Sequence, residues 1–337
     1  MKNEEALAVQ NLRVNYKVYR GILKVLDGIN LTVKRGEKIG LVGETGCGKT
    51  TTLKAIMGIL AGNAILSSGR VTVNGKVILQ RSAHHMVRKS AKRVAMIFQD
   101  PTASLNPVFT IGEQMELVVR YAANRSSSVK EAAINALRLA RLPDAERIHT
   151  NFPFQLSGGM RQRVCIAMAL AAEPNIILAD EPTTNLDVTI QDQVLKLLKR
   201  LCDEQELALV LVTHSLGVAR ETCDRIYVMY AGTIVEYASS QNIFENPYHP
   251  YTRGLLAALP RLTGEGIAEG IEGRIPDYLN PPQGCRFAPR CEHATEKCFS
   301  TKPGFYEAED GHFVSCFLYE TERGVASDVS HSSDTES

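Results

Sequence analysis

Eight consecutive residues, GETGCGKT (43–50), follow the apolar run KIGLV (38–42). Glycines at this spacing free successive backbone N–H groups to converge on one anion, a phosphate. Lys49 adds a point charge for the outer phosphate oxygens, and the Thr50 hydroxyl suits Mg²⁺. The helix that opens at Gly48 points its positive end at the same place. A bland glycine-rich turn is the competing reading. The buried strand before it and the helix after it favour a nucleotide cradle made by Gly43, Glu44, Thr45, Gly46, Cys47, Gly48, Lys49, Thr50 and Thr51. Cys47 fills a position that needs a small residue. Its place at a helix start is expected to lower its pKa, so that a thiol reagent blocks turnover and bound nucleotide protects.

A second apolar run, NIILADEP (175–182), ends in two carboxylates. Alone, such a pair reads as solvated. With the cradle upstream, Asp180 is placed to hold Mg²⁺ through water and Glu181 to orient or deprotonate an attacking water. A positioned base of this kind contributes about 10²–10⁴-fold. The stretch LSGGMRQR (156–163) puts Ser157, Gly158 and Gly159 at the mouth of a helix. A hydroxyl, bare N–H groups and a helix dipole make a second anion site, and the same groups cap the helix. Two half-sites for one phosphate chain predict a dimer, with each subunit's Ser-Gly-Gly closing over its partner's nucleotide.

Eight cysteines are present, and four of them, Cys285, Cys291, Cys298 and Cys316, crowd into one stretch with five, six and seventeen residues between them. Four thiolates suit zinc or an iron–sulfur cluster. The tight spacing usual for zinc is missing, so a larger cluster is the first expectation, zinc the alternative, and free buried thiols the third. Arg286 and Arg290 would offset the negative charge of such a site; the plainer reading is two surface arginines. His84 and His85 read as a solvated pair, without metal.

The elements that must position these groups follow from pattern. Residues 6–42 alternate apolar and polar, with breaks expected at Asn15, Gly28 and Gly36. Asn74-Gly75 marks a hairpin in VTVNGKVIL (71–79). Buried strands are expected at 93–98, 175–180, 208–214 and 225–230, an amphipathic helix at 188–205, and a helical insert over 111–150. Strands alternating with helices predict an α/β parallel sheet covered on both faces. The chain has 337 residues, 44% hydrophobic and 22% charged, with net charge +1, which offers no field for nucleic acid. The start, MKNEEALAVQ, lacks a signal-peptide pattern, and the longest apolar run is far short of a membrane span. A cytoplasmic location is expected, with any membrane contact made through partners. The stretch 262–273, rich in Gly and Glu, reads as a linker, and 321–337 as a disordered tail.

LSGGMRQR resembles the signature motif of ABC-transporter ATPases, and the family's other motifs stand in order. Gln99 in FQD resembles the Q-loop residue, which reaches Mg²⁺ and water and touches the membrane subunits. Asn185, Leu186 and Asp187 resemble the D-loop, which contacts the partner's cradle. His214 resembles the switch histidine at the γ-phosphate. An aromatic before the second strand should stack on adenine, which implies Tyr19, with Tyr16 as the fallback. FQDPTASLNP (98–107), ADEPTTNLDVTIQ (179–191) and ENPYHPYTRGLLAALP (245–260) are similar to the dipeptide, oligopeptide and nickel importer branch, over roughly residues 6–320.

The resemblance implies a P-loop NTPase fold with an antiparallel β-subdomain, a helical subdomain near 105–172 within an ATPase unit of 1–260, and a cysteine-ligated C-terminal domain over 261–320. It implies ATP, Mg²⁺ and a [4Fe–4S] cluster at the four cysteines. It also implies a heterodimer with a paralogous ATPase, two transmembrane permeases and an extracytoplasmic solute-binding protein at the cytoplasmic membrane face. A nickel or other small-solute importer, or a soluble ABC ATPase, are the alternative readings.

Overall fold

The computed structural model describes residues 5–81, 86–88, 93–122, 128–184, 186–258 and 270–320. His84, His85, Asn185, most of the expected linker and the expected tail lie outside the described residues. The strands run in order as β1 (Glu5–Val18), β2 (Gly21–Lys34), β3 (Lys38–Val42), β4 (Ala64–Val73), β5 (Lys76–Arg81), β6 (Met86–Arg88), β7 (Val94–Ile97), β8 (Ile176–Asp180), β9 (Ala208–Thr213), β10 (Arg225–Tyr230), β11 (Thr233–Ser239), β12 (Tyr306–Glu309) and β13 (His312–Val314).

They form two sheets. The main sheet has the order β12-β13-β11-β10-β3-β9-β8-β7, and the smaller antiparallel one β2-β1-β4-β5-β6. The pairs β10–β3, β3–β9, β9–β8 and β8–β7 are parallel. Continuous apolar runs are what parallel strands covered on both faces require, and every residue of β3, β8 and β9 is buried. The expected parallel sheet is therefore corrected to a mixed one, because β11, β13 and β12 extend its edge antiparallel. That edge was not expected: the cysteine-bearing C-terminal stretch joins the main sheet through its own hairpin.

In the smaller sheet, the Asn74-Gly75 turn has positive φ at both residues and joins β4 to β5. Asn15 and Gly28 do not break the chain. They lie inside β1 and β2, where register shifts absorb the irregularity. Helix α1 (Lys49–Met57) packs Leu53 and Ile56 between the two sheets. The helical insert is α3 (Ile111–Ala122), α4 (Val129–Leu139) and α5 (Ala145–Thr150), preceded by the single turn α2 (Pro101–Ser104). Ile111, Met115 and Val119, four residues apart, share a core with Ala133, Leu137 and Ile148, and with Val164 of α6 (Gly158–Ala171). Helix α7 (Val188–Glu204) covers the main sheet with Val194, Leu197, Leu198 and Leu201. The short α8 (Leu216–Thr222) packs on β3 and β9, α9 (Ser240–Glu245) on β10 and β11, and α10 (Pro250–Ala257) adds Tyr251 to the same core. No helix among the described residues is long and apolar enough to cross a membrane.

Candidate functional site

The phosphate loop leaves the C-terminal end of β3 and enters α1. Gly43 must be glycine: a Cβ there would lie 2.0 Å from the Met229 carbonyl oxygen. The buried Lys49 ammonium donates to the Gly43 and Glu44 carbonyls at 2.7 and 3.0 Å. Beside it, the Thr50 hydroxyl donates to Asp180 Oδ1 at 3.0 Å. Burial pushes the Asp180 carboxyl up, and the Thr50 hydroxyl pulls it back. A hydroxyl and a mostly buried carboxylate held together at the loop's outer end suit a hard divalent cation such as Mg²⁺.

Glu181 follows β8 with φ 44, an uncommon backbone for a non-glycine residue, and its N–H still donates to Val212 O at 2.9 Å. This turn brings the carboxylate out beside the loop. Three groups meet at its Oε2. Gln99 Nε2 donates at 3.4 Å, Thr184 Oγ1 donates at 3.1 Å, and His214 Nδ1 lies 3.1 Å away. Gln99 comes from the end of β7 and His214 from the end of β9, so adjacent parallel strands deliver all four groups to one sheet edge. This is where open α/β sheets bind ligands. A carboxylate fixed in this way can orient a water and accept its proton. Thr184 was not singled out from the sequence; only the second threonine of DEPTT hinted at it.

Other expected residues stand apart. Ser157 Oγ accepts from the Met160 N–H at 3.3 Å and caps α6. A Cβ on Gly159 would lie 2.7 Å from Ile190 Cγ2, so a side chain there has to displace Ile190. Asp187 caps α7 by accepting from the Ile190 N–H at 3.0 Å. Among the described residues, no hydrogen bond ties Ser157, Gly158, Gly159 or Asp187 to this chain's own phosphate loop. Tyr19 is fully exposed at the β1–β2 turn, whereas Tyr16 packs half-buried on the core.

Three expectations are corrected. Cys47 is completely buried, and that burial raises its thiol pKa against the pull of Lys49, so the helix start does not activate it. Arg286 and Arg290 are not surface residues, and their guanidinium groups are spent elsewhere. Arg290 forms a bidentate pair with Glu44, and Arg286 donates to the Lys24 and Ala231 carbonyls. Neither the expected iron–sulfur cluster nor its zinc alternative finds support in the cysteine geometry, and all four cysteines are free thiols. Cys285, Cys291, Cys298 and Cys316 stand around one cavity of about 240 Å³. Among the described residues, no three His, Cys, Asp or Glu side chains converge closely enough to hold one ion.

Each thiol environment is nonetheless specific. Burial pushes Cys285, Cys291 and Cys316 up, the last to about 11, while backbone hydrogen bonds from Phe287 and Ala288, from His293, and from Leu318 pull the other way. Cys298 Sγ lies 3.5 Å from the Thr295 N–H.

The strand–loop–helix cradle with its carboxylate cluster defines a P-loop ATPase. Residues 26–184 match the ABC transporter family model, and residues 235–298 match the C-terminal region of oligopeptide/dipeptide transporters. The chain is 42% identical to the oligopeptide transport ATP-binding protein AppD of Bacillus subtilis over 94% of its own length and 97% of that protein. It is also 42% identical to OppD of Escherichia coli over 92% of each. The fold superposes on the dimeric post-hydrolysis cassette MJ0796 bound to ADP and Pi, with TM-score 0.59 and 29% identity, covering 69% of this chain and 98% of that one. The chain belongs to the ATP-binding subunits of ABC transporters, and it is an ATPase.

Replacing Glu181 by Gln is expected to lower phosphate release by about 10²–10⁴-fold while ATP still binds; parallel turnover and fluorescent-nucleotide binding assays check this. Mapping of thiol labels by mass spectrometry is expected to find Cys47 far less reactive in the folded chain than after unfolding, with little change on adding ATP. Rapid labelling that ATP prevents would contradict the burial argument.

Proposed function

We propose that this chain is the ATP-hydrolysing subunit of a peptide importer. The observation that carries the reading is the cluster at the sheet edge: a Thr50–Asp180 pair suited to Mg²⁺ beside a Glu181 carboxylate tied to Gln99, Thr184 and His214. Identity of about 42% along nearly the whole chain to oligopeptide transport ATP-binding proteins supports the solute class. Mg²⁺, when bound, supplies charge neutralisation at the phosphates. This chain's residues orient the water, take its proton and hold the loop. Thr50, Asp180 and Gln99 are the proposed Mg²⁺ neighbours, and Tyr19 or Tyr16 the adenine platform.

The ATP site is completed in trans. Ser157, Gly158, Gly159 and Asp187 have no bond to the loop of their own chain among the described residues, and their capped helix ends suit the γ side of a nucleotide on a second subunit, a paralogous ATPase. Gln99 and the helical insert at about 111–150, within the helical subdomain near 105–172, pass closure of the dimer to two permeases, which a solute-binding protein supplies. In this reading the ATPase unit spans 1–260 and the cysteine-bearing module 261–320, and the subunit sits peripherally on the cytoplasmic membrane face.

For the module we infer an iron–sulfur cluster. The four thiols line one cavity, and backbone N–H groups beside Cys285, Cys291 and Cys316 would donate to bound thiolates, which tunes such clusters. When bound, the cluster cross-links the four cysteines; nothing in the ATP reaction is routed through it.

Two outcomes test these readings. In vesicles holding the assembled transporter, ATP hydrolysis is expected to rise when the binding protein delivers a peptide; stimulation by nickel and not by peptide would favour the alternative solute. Chain purified without oxygen is expected to carry iron and acid-labile sulfide in equal amounts, both lost on replacing Cys285 and Cys291 by Ser. Zinc, or no metal, in that preparation would contradict the cluster.

A further inference from the structure

The phosphate loop is held from outside its own strand–helix unit, and two of the holding groups come from the C-terminal module. Arg290 Nη1 and Nη2 donate to the two Glu44 carboxylate oxygens at 2.9 and 3.2 Å, and the Arg290 side chain is 5% exposed. The Tyr278 hydroxyl donates to the Gly46 carbonyl at 2.8 Å. Both residues are themselves fixed. Arg290 Nε donates to Glu272 O at 2.7 Å, Nη2 donates to Ile271 O at 2.8 Å, and the guanidinium lies 5.7 Å from the Tyr230 ring centre. The Tyr278 carbonyl accepts from the Lys24 N–H at 2.8 Å, and Arg286 lies 5.9 Å from its ring centre.

These contacts bear on two requirements of a phosphate cradle. First, its N–H groups converge only if its carbonyls are held by other donors; Lys49 holds those of Gly43 and Glu44, and Tyr278 holds that of Gly46. Second, Glu44 places a carboxylate in a loop that must receive a polyanion. Within the loop itself, and partly shielded from water, an unpaired negative charge repels phosphate. The planar Arg290 fork cancels that charge with two parallel bonds, which a lysine cannot reproduce.

We propose that Arg290 and Tyr278 are positioning residues of the ATP site: the C-terminal module is a clasp that neutralises Glu44 and fixes the Gly46 carbonyl, so that the phosphate loop is preformed for nucleotide. The inference rests on the ATP-binding reading of the loop. It gives the module a role in nucleotide affinity beyond holding four cysteines, and that role is carried by residues 232 and 246 positions away from their partners in the chain.

The test uses the full chain assembled with its permeases, with wild type as reference. Wild-type turnover carries the ATPase reading, and only the ratio of variant to wild type carries this one. Arg290→Ala is expected to raise KM for ATP about tenfold with kcat within about twofold, the signature of lost uniform binding. Adding Glu44→Gln to Arg290→Ala is expected to recover most of that loss, because the repelling charge is gone. Tyr278→Phe, which removes one hydroxyl and keeps the ring, is expected to raise KM about threefold at an unchanged unfolding midpoint, a typical scale for one hydrogen bond. This variant decides the matter if Arg290→Ala does not fold. A purely structural module predicts that KM stays at the wild-type value in folded variants, or that Glu44→Gln gives no recovery; either result overturns the proposal.

Discussion

A short backbone segment that must face inward is the constraint on which this structure depends. Residues 43–50 can cradle phosphates only if their N–H groups share one target, so their carbonyls need partners of their own. Gly43 passes against the Met229 carbonyl, and Lys49 fills the hollow from its own loop. Gly232 donates to Cys47 O at 2.8 Å, and the Glu44 N–H donates to the Tyr251 hydroxyl at 3.0 Å. The main sheet supplies the rigid frame, with β3 at its centre and β9 and β10 on either side. The antiparallel edge and the C-terminal stretch supply the outer supports.

The same frame explains why the reaction centre is built on strand ends. Parallel strands finish on one edge, so Gln99, Glu181 and His214, far apart in sequence, meet without long loops. The left-handed backbone at Glu181 is the cost of turning a carboxylate out of β8 beside Asp180 without ending the sheet pairing. The helix ends at Ser157 and Asp187 are capped as well as ordinary helices are, yet bare glycines lie at the mouth of the first. In the proposed function, this helix end serves the nucleotide of a second subunit.

The chemistry-bearing groups were legible in the sequence because each motif is local: a strand, a turn and a helix start, written in consecutive residues. The central strands were equally plain, since burial on both faces leaves unbroken apolar runs. What escaped depends on tertiary contact. The β11 edge and the C-terminal hairpin are short strands whose pairing no periodicity reports. Cys47 looked reactive from its helix start, but a burial that only the packed sheets create decides its pKa. Asn15 and Gly28 looked like breaks and turned out to be irregularities within long strands. The charge of Arg286 and Arg290 is plain in the sequence, but which distant group a guanidinium reaches is not. The acidic Glu44 inside a phosphate loop is the available signal, because a half-buried negative charge there calls for a cation.

The central claim is that one chain holds half a reaction centre. It is tested most directly by fractionating this chain together with its proposed paralogous partner in Mg·ATP by size and measuring phosphate release per chain in each fraction. The account predicts hydrolysis confined to the dimeric fraction. Full-rate turnover by a strictly monomeric fraction would contradict it.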